Sequence, residues 1–170
     1  MKKAPIPKNE KDRLEAVKKL NILDTKPDQR FDRLTKRAVE ELKVPISTIS
    51  IIDKDREWFK SCQGVGNPEG PRSESFCGHA MLATEILIIE DTLKDSRFAD
   101  NPQVLADPGI RFYAGIALHE KESRLPIGVF CIKDYKPRQL EPFEIALLMQ
   151  LAKEAEREIN QPFDVRPKNK

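Results

Sequence analysis

Histidine, cysteine and tryptophan are scarce in this chain, with two, three and one among 170 residues, and each scarcity closes a route. His79 and His119 stand far apart, with no carboxylate at ligand spacing, so no metal-site motif is legible. Cys62, Cys77 and Cys131 are odd in number and widely spaced, which fits neither a disulfide framework nor paired zinc ligands, and reduced thiols are expected. Gly64, Gly66 and Gly70 lack the strand-to-helix setting and the lysine of a phosphate-binding loop. Long apolar runs are missing too. Ile86 to Ile89 and Gly115 to Leu118 fall far short of a membrane span, and no signal-like segment follows the Lys-rich start, so no membrane partner and a cytoplasmic location are expected. With 30 Lys and Arg against 28 Asp and Glu, a net charge of +2 gives no footprint for nucleic acid.

What is present is one domain's worth of chain, 39% apolar and 34% charged, long enough for a self-sufficient core. Residues 1–9 read as a flexible N-terminus, 10–160 as the domain and 161–170 as a disordered tail. Asn9 offers a cap to a first helix with Leu14, Val17 and Leu20 at helical spacing. Pro27 suits the first position of a second helix, whose stripe is Phe31, Leu34, Ala38 and Leu42. Ile46 to Ile52 is β-branched on both faces and predicts a central strand, and Glu57 to Cys62 its hairpin partner. Residues 64–71 read as a loop. Ser75 predicts a cap for a helix over 76–84, followed by strands over 86–90, 112–118 and 127–133. Pro142 opens a terminal helix with stripe Ile145, Leu148, Ala152, Ala155 and Ile159. The order gives an α+β layer structure: one mainly antiparallel sheet with the first, second and last helices on one face.

Candidate chemistry concentrates between Ser73 and Leu118. Ser75, Phe76, Cys77 and His79 lie where a loop becomes a helix, Asp91, Arg97, Phe98 and Asp100 in a polar excursion, and Arg111 and Tyr113 at the next strand. SFCGHA, then an apolar strand with Asp91 behind it, then DSRFADNP and PGIRFYAG resemble the ligand-side half of a GAF domain. NILDTKPDQRFDRLTKRA, VPISTISIIDKDREWFKS and PIGVFCIKDYKPRQLEPFE extend the resemblance over roughly 10–159. It implies a small-molecule pocket on the second face of the sheet, roofed by the short helix and loops, and lined by Trp58, Ser75, Phe76, Cys77, His79, Asp91, Phe98, Arg111 and Tyr113. The cofactor is unknown. The Cys-His dipeptide of bilin-binding members is missing, the Asn-Lys, Phe and Asp-Glu signature of cyclic-nucleotide binders cannot be placed, and the motif of the methionine sulfoxide reducing subgroup does not match.

Each candidate also has a plainer reading. His79 suits a partly buried, hydrogen-bonded ring, and His119 an exposed one. Cys77, near a helix start, would gain thiolate character, but all three thiols also serve as small core residues. Arg111 with Asp91 or Asp100 suits an ion pair pinning the excursion; the alternative is an Arg holding a carboxylate or phosphate of a ligand. The functional expectation is a non-enzymatic sensor in signal transduction, with output through a separate protein since no output domain follows here. The rivals are a dimerisation or interaction module with a self-filled pocket, and a thiol enzyme built on Cys77. Leu147, Met149 and Leu151 widen the terminal helix's apolar stripe and suit a homodimer through terminal helices.

Overall fold

The structure, a computed structural model, describes residues 1–161. Strand β1, Ile46–Ile52, is buried at every position because it lies between two partners. It pairs antiparallel with β2 (Arg56–Gln63) on one side and β6 (Pro126–Asp134) on the other. Beyond β2 lies β3 (Glu69–Pro71), and beyond β6 come β5 (Phe112–His119) and β4 (Leu87–Ile89), giving the order β3-β2-β1-β6-β5-β4 with every pairing antiparallel. Side chains alternate across a strand, so Ile49 and Ile51 enter one core layer while Ile46 and Ile52 enter the other.

The first layer is made by α1 (Glu10–Lys19), α2 (Gln29–Leu42) and α5 (Pro142–Ile159). Phe31, Leu34, Ala38 and Leu42 of α2 are buried as their spacing requires. The start of α2 differs from the expectation: Asp28 is the cap, accepting from the Arg30 N–H at 2.9 Å, and Pro27 lies outside the helix. In α5, Pro142 takes the first turn and the Glu141 N–H donates to Glu144 Oε1 at 3.1 Å. Asn9 precedes α1 but makes no side-chain cap. Between β3 and β5 runs a flap of short pieces, including α3 (Phe76–Ala80, shorter than expected) and α4 (Pro102–Leu105). Strand β3 lies inside the stretch expected to be all loop.

Residues 1–4, part of the 1–9 stretch expected as a flexible N-terminus, lie across this flap. The Lys2 N–H donates to the Arg97 carbonyl and the Ala4 N–H to the Ser73 carbonyl, each at 3.0 Å. A Cβ on Gly78 would come within 2.6 Å of the Ala4 methyl, so the glycine permits this approach. The tail expected over 161–170 lies, from residue 162, outside the described residues.

Apolar spacing in α1 pointed to Leu14, yet Arg13 is fully buried there and Leu14 is half-buried. Its guanidinium donates to the Ile52 carbonyl at 2.8 Å and, through Nε and Nη2, to both oxygens of Glu10. Arg72, at the root of the flap, grips the same carboxylate and also the Asp53 carbonyl at 3.1 Å. One carboxylate thus ties α1, the β1–β2 turn and the flap together. Partial burial alone would raise the pKa of Glu10, but the two guanidiniums outweigh it and hold it at about 2 against an ordinary 4.5. Because the folded value is depressed, this contribution is complete above about pH 4.5 and is lost as pH falls towards 2. We expect Glu10→Gln to cost about 2–3 kcal/mol at neutral pH, since two buried cations lose their counter-charge while Glu10 itself is partly exposed. The variant's acid unfolding curve should also be flatter over that window. Equal denaturation midpoints for the two proteins at pH 7 would contradict this.

Candidate functional site

The second face of the sheet is covered by the flap. Ser75 Oγ accepts from the Gly78 N–H at 3.0 Å and starts α3 so that Phe76 and Cys77 turn inward. Phe76 stacks on Phe98 with ring centroids 4.5 Å apart and on Tyr113 at 5.2 Å, and all three rings are fully buried. Met81, Ile89, Val104, Ile110, Val129 and Cys131 complete this layer. Gly115 makes room for it, because a Cβ there would come within 2.3 Å of the Tyr113 hydroxyl. The flap is then tied down by polar bonds. Thr92 Oγ1 donates to the Ile110 carbonyl at 2.7 Å, and Asn101 Nδ2 to the Glu74 carbonyl at 2.9 Å.

The nine residues expected to line a pocket are therefore divided. Ser75, Phe76, Cys77, Phe98 and Tyr113 come together, but as packing and capping groups that fill the space beneath the flap. Trp58 points the other way, into the helix-side core. A β-bulge opposite Ile49 and Ser50 sets the register so that Glu57 and Phe59, the residues either side of Trp58, share the flap face with Ile52 and Ser50. Asp91 caps a short helical turn by accepting from the Leu93 N–H at 3.1 Å. Arg111 pairs with neither Asp91 nor Asp100: its Nη1 donates to the Val104 carbonyl at 2.8 Å and the Ile110 carbonyl at 3.2 Å. Asp100 meets the Met1 ammonium, and Arg97 binds Asp95 at 2.7 Å. His79 packs edge-on against Phe98, with Nε2 3.1 Å from the Lys2 carbonyl, and burial lowers its pKa. His119, expected exposed, is half-buried against Glu156.

Polar groups run beneath the flap as a seam. Ser50 Oγ donates to Glu57 Oε1 at 2.8 Å, Thr48 Oγ1 lies 2.9 Å from Ser50 Oγ and 3.0 Å from Cys131 Sγ, and the Tyr113 hydroxyl donates to Cys77 Sγ at 3.2 Å. The drop in the Cys77 pKa that a helix start would favour does not occur: complete burial, with Cys131 and Glu57 nearby, pushes it well above the ordinary thiol value, as suits a core residue. The five-residue α3 offers too little dipole to offset that desolvation. Burial also raises the Tyr113 hydroxyl.

Open space lies beside the stack. A cleft of about 360 Å³ runs between the 64–71 loop, the ends of β1 and β6, and the turn before β5. Its apolar walls include Ile46, Phe59, Val65 and Ile110, and its polar groups include Glu57, Glu69, Glu74, Gln103 and Lys133. Lys133 Nζ donates to Gln103 Oε1 at 2.9 Å and stands 5.3 Å from the centre of the Phe76 ring. Burial disfavours its charge, yet the Glu57 carboxylate and the two thiols raise its pKa overall. Glu57, Gln103 and Lys133 were not among the expected site residues. A signal existed for one of them: Lys133 continues the inward alternation of Val129 and Cys131. No group of three or more His, Cys, Asp or Glu able to hold a metal occurs among the described residues, and none of their helices is long and apolar enough to cross a membrane.

A model of the GAF domain matches residues 26–159. The chain belongs to the GAF domain family. That places it among signalling sensor modules. It is 36% identical over 150 residues to a cyclic di-GMP phosphodiesterase of Pseudomonas aeruginosa, an alignment covering 88% of this chain but 25% of that protein, so the chain spans about a quarter of this curated relative. Among solved structures it resembles the GAF domain of an Acinetobacter phosphoenolpyruvate-protein phosphotransferase (TM-score 0.60, 18% identity, 87% of this chain and 92% of that one). It also resembles the free methionine-R-sulfoxide reductase of Neisseria meningitidis in complex with its substrate (TM-score 0.60, 15% identity, 94% and 98%). At those identities the two structures support the fold alone.

For the GAF domain's thiols, burial makes a checkable order. A small alkylating reagent at neutral pH should label half-buried Cys62 first, and Cys77 and Cys131 only as the flap opens. Peptide mapping showing Cys77 modified first would restore an activated thiolate.

Proposed function

We propose that this GAF domain is a non-enzymatic sensor that holds a small molecule in the cleft between the 64–71 loop and the floor formed by Glu57 and Lys133. The observation that carries the reading is the pairing of a cleft of ligand size with two buried, oppositely charged side chains at its floor. Burying a charge is costly unless it is compensated, so such groups at an open cleft suit a guest that completes their pairing. The mechanism is a population shift: a ligand touching the loop, Gln103 and Ile110 stabilises one arrangement of the flap over others. The relative named as a cyclic di-GMP phosphodiesterase supports a regulatory role within a larger signalling protein, and the buried thiols weigh against a thiol enzyme.

A second reading rests on α5, where Phe143 and Met149 are 71% and 56% exposed. Together with the self-filled layer under the flap, they suit a dimerisation or interaction module. Thermal melting across a metabolite panel, with native mass spectrometry of the same samples, separates the two. A ligand at about a hundredfold its Kd should add about 2.7 kcal/mol, or about 5–10 °C in Tm. Val65→Trp, which places bulk in the cleft, should abolish that shift while leaving the helical circular dichroism unchanged. No shift across the panel, or the same shift in Val65→Trp, would leave the interaction module.

A further inference from the structure

The cleft's charges are arranged in a way that restricts its guest. Glu57 and Lys133 are 3% and 5% exposed, yet both line the open volume. Each is half-satisfied from the protein side: Glu57 Oε1 accepts from Ser50, and Lys133 Nζ donates to Gln103. They form no ion pair with each other among the described residues, so their charged atoms lie more than 4.0 Å apart. Among the described residues Glu57 Oε2 accepts no protein hydrogen bond, and Lys133 Nζ has Gln103 as its one hydrogen-bond acceptor with the Phe76 ring 5.3 Å away, so each has room for one more polar partner at the cleft.

A guest bearing charge of one sign would satisfy one of these groups and face repulsion from the other. Phosphates and dicarboxylates are disfavoured further, because Glu57, Glu69 and Glu74 outnumber the one lysine in the lining. A plain amine would leave Lys133 uncompensated. A molecule with an ammonium and a carboxylate on one carbon can satisfy both. The remaining walls, including Ile46, Val65, Pro71, Pro108 and Ile110, then suit an apolar substituent.

We propose that the cleft binds a free α-amino acid with an apolar side chain, its ammonium on Glu57 and its carboxylate on Lys133. The proposal rests on the sensing reading above and narrows its ligand. Isothermal titration of the full chain with L-leucine, L-methionine and L-phenylalanine, each beside its N-acetyl and carboxamide derivatives, tests it. At least one parent amino acid should bind, and blocking either end should weaken it by about tenfold or more. Lys133→Met should lose the preference for the free carboxylate, and Glu57→Gln the preference for the free ammonium. The blocked derivatives on the unsubstituted chain answer the question even if a variant fails to fold. Derivatives binding as well as their parents would overturn the proposal. If no amino acid binds but a nucleoside or 2-oxo acid does, with loss in Val65→Trp, the zwitterion is overturned and the sensing reading stands. If nothing binds, both fall.

Discussion

The stack of Phe98 on Phe76 on Tyr113 decides what the flap face can do. Aromatic side chains bury about 150–250 Å² each, and protein interiors leave few voids larger than a water, so three such rings in one layer exclude a guest of similar size. The flap therefore serves as packed core where the rings lie, held by Thr92 and Asn101 at its margins. Gly115 is part of that constraint because it yields the volume the Tyr113 ring occupies. What cannot be accommodated in the apolar stack is displaced to its edge, where Glu57, Lys133 and Gln103 face the cleft.

Stack and cleft are not independent. Ser50 touches Glu57 directly and lies 3.7 Å from Cys77 Sγ, which in turn accepts from the Tyr113 hydroxyl. Lys133 faces Gln103 on one side and the Phe76 ring on the other. Low-dielectric surroundings strengthen such bonds and make each unsatisfied group costly, so a change at the cleft floor is felt within one or two contacts by the rings. At the other end, Glu10 with Arg13 and Arg72 anchors the root of the flap to α1 and the β1–β2 turn. The flap is thus fixed by charge at its root and by rings at its centre.

Elements whose identity depends on local pattern were legible in the sequence: the α2 stripe of Phe31, Leu34, Ala38 and Leu42, the fully buried β1, and α5 beginning at Pro142. Features set by tertiary contact were not. Arg13 looks like a surface residue until Glu10, Arg72 and the Ile52 carbonyl are brought around it. Trp58 was taken for the flap face because the bulge that fixes strand parity depends on pairing between β1 and β2, which no single-strand pattern contains. The same parity hid Glu57. Arg111 was expected to seek an acid, but nearby backbone carbonyls supplied its acceptors first. Resemblance to the family pointed to the flap face and to residues 73–118, while most of the cleft's lining, including Glu57, the 64–71 stretch and Lys133, lies outside that segment, and the division between filled layer and open cleft emerged only from packing.

Amide hydrogen exchange on the ligand-free chain tests that division most directly. If the stack closes the flap, amides of 98–104 and 110–113 should be protected nearly as strongly as those of β1, while amides of 64–67 exchange far faster. Flap amides exchanging as fast as those of 64–67 would mean that the rings do not hold it shut, and the site would have to be sought beneath the flap instead of beside it.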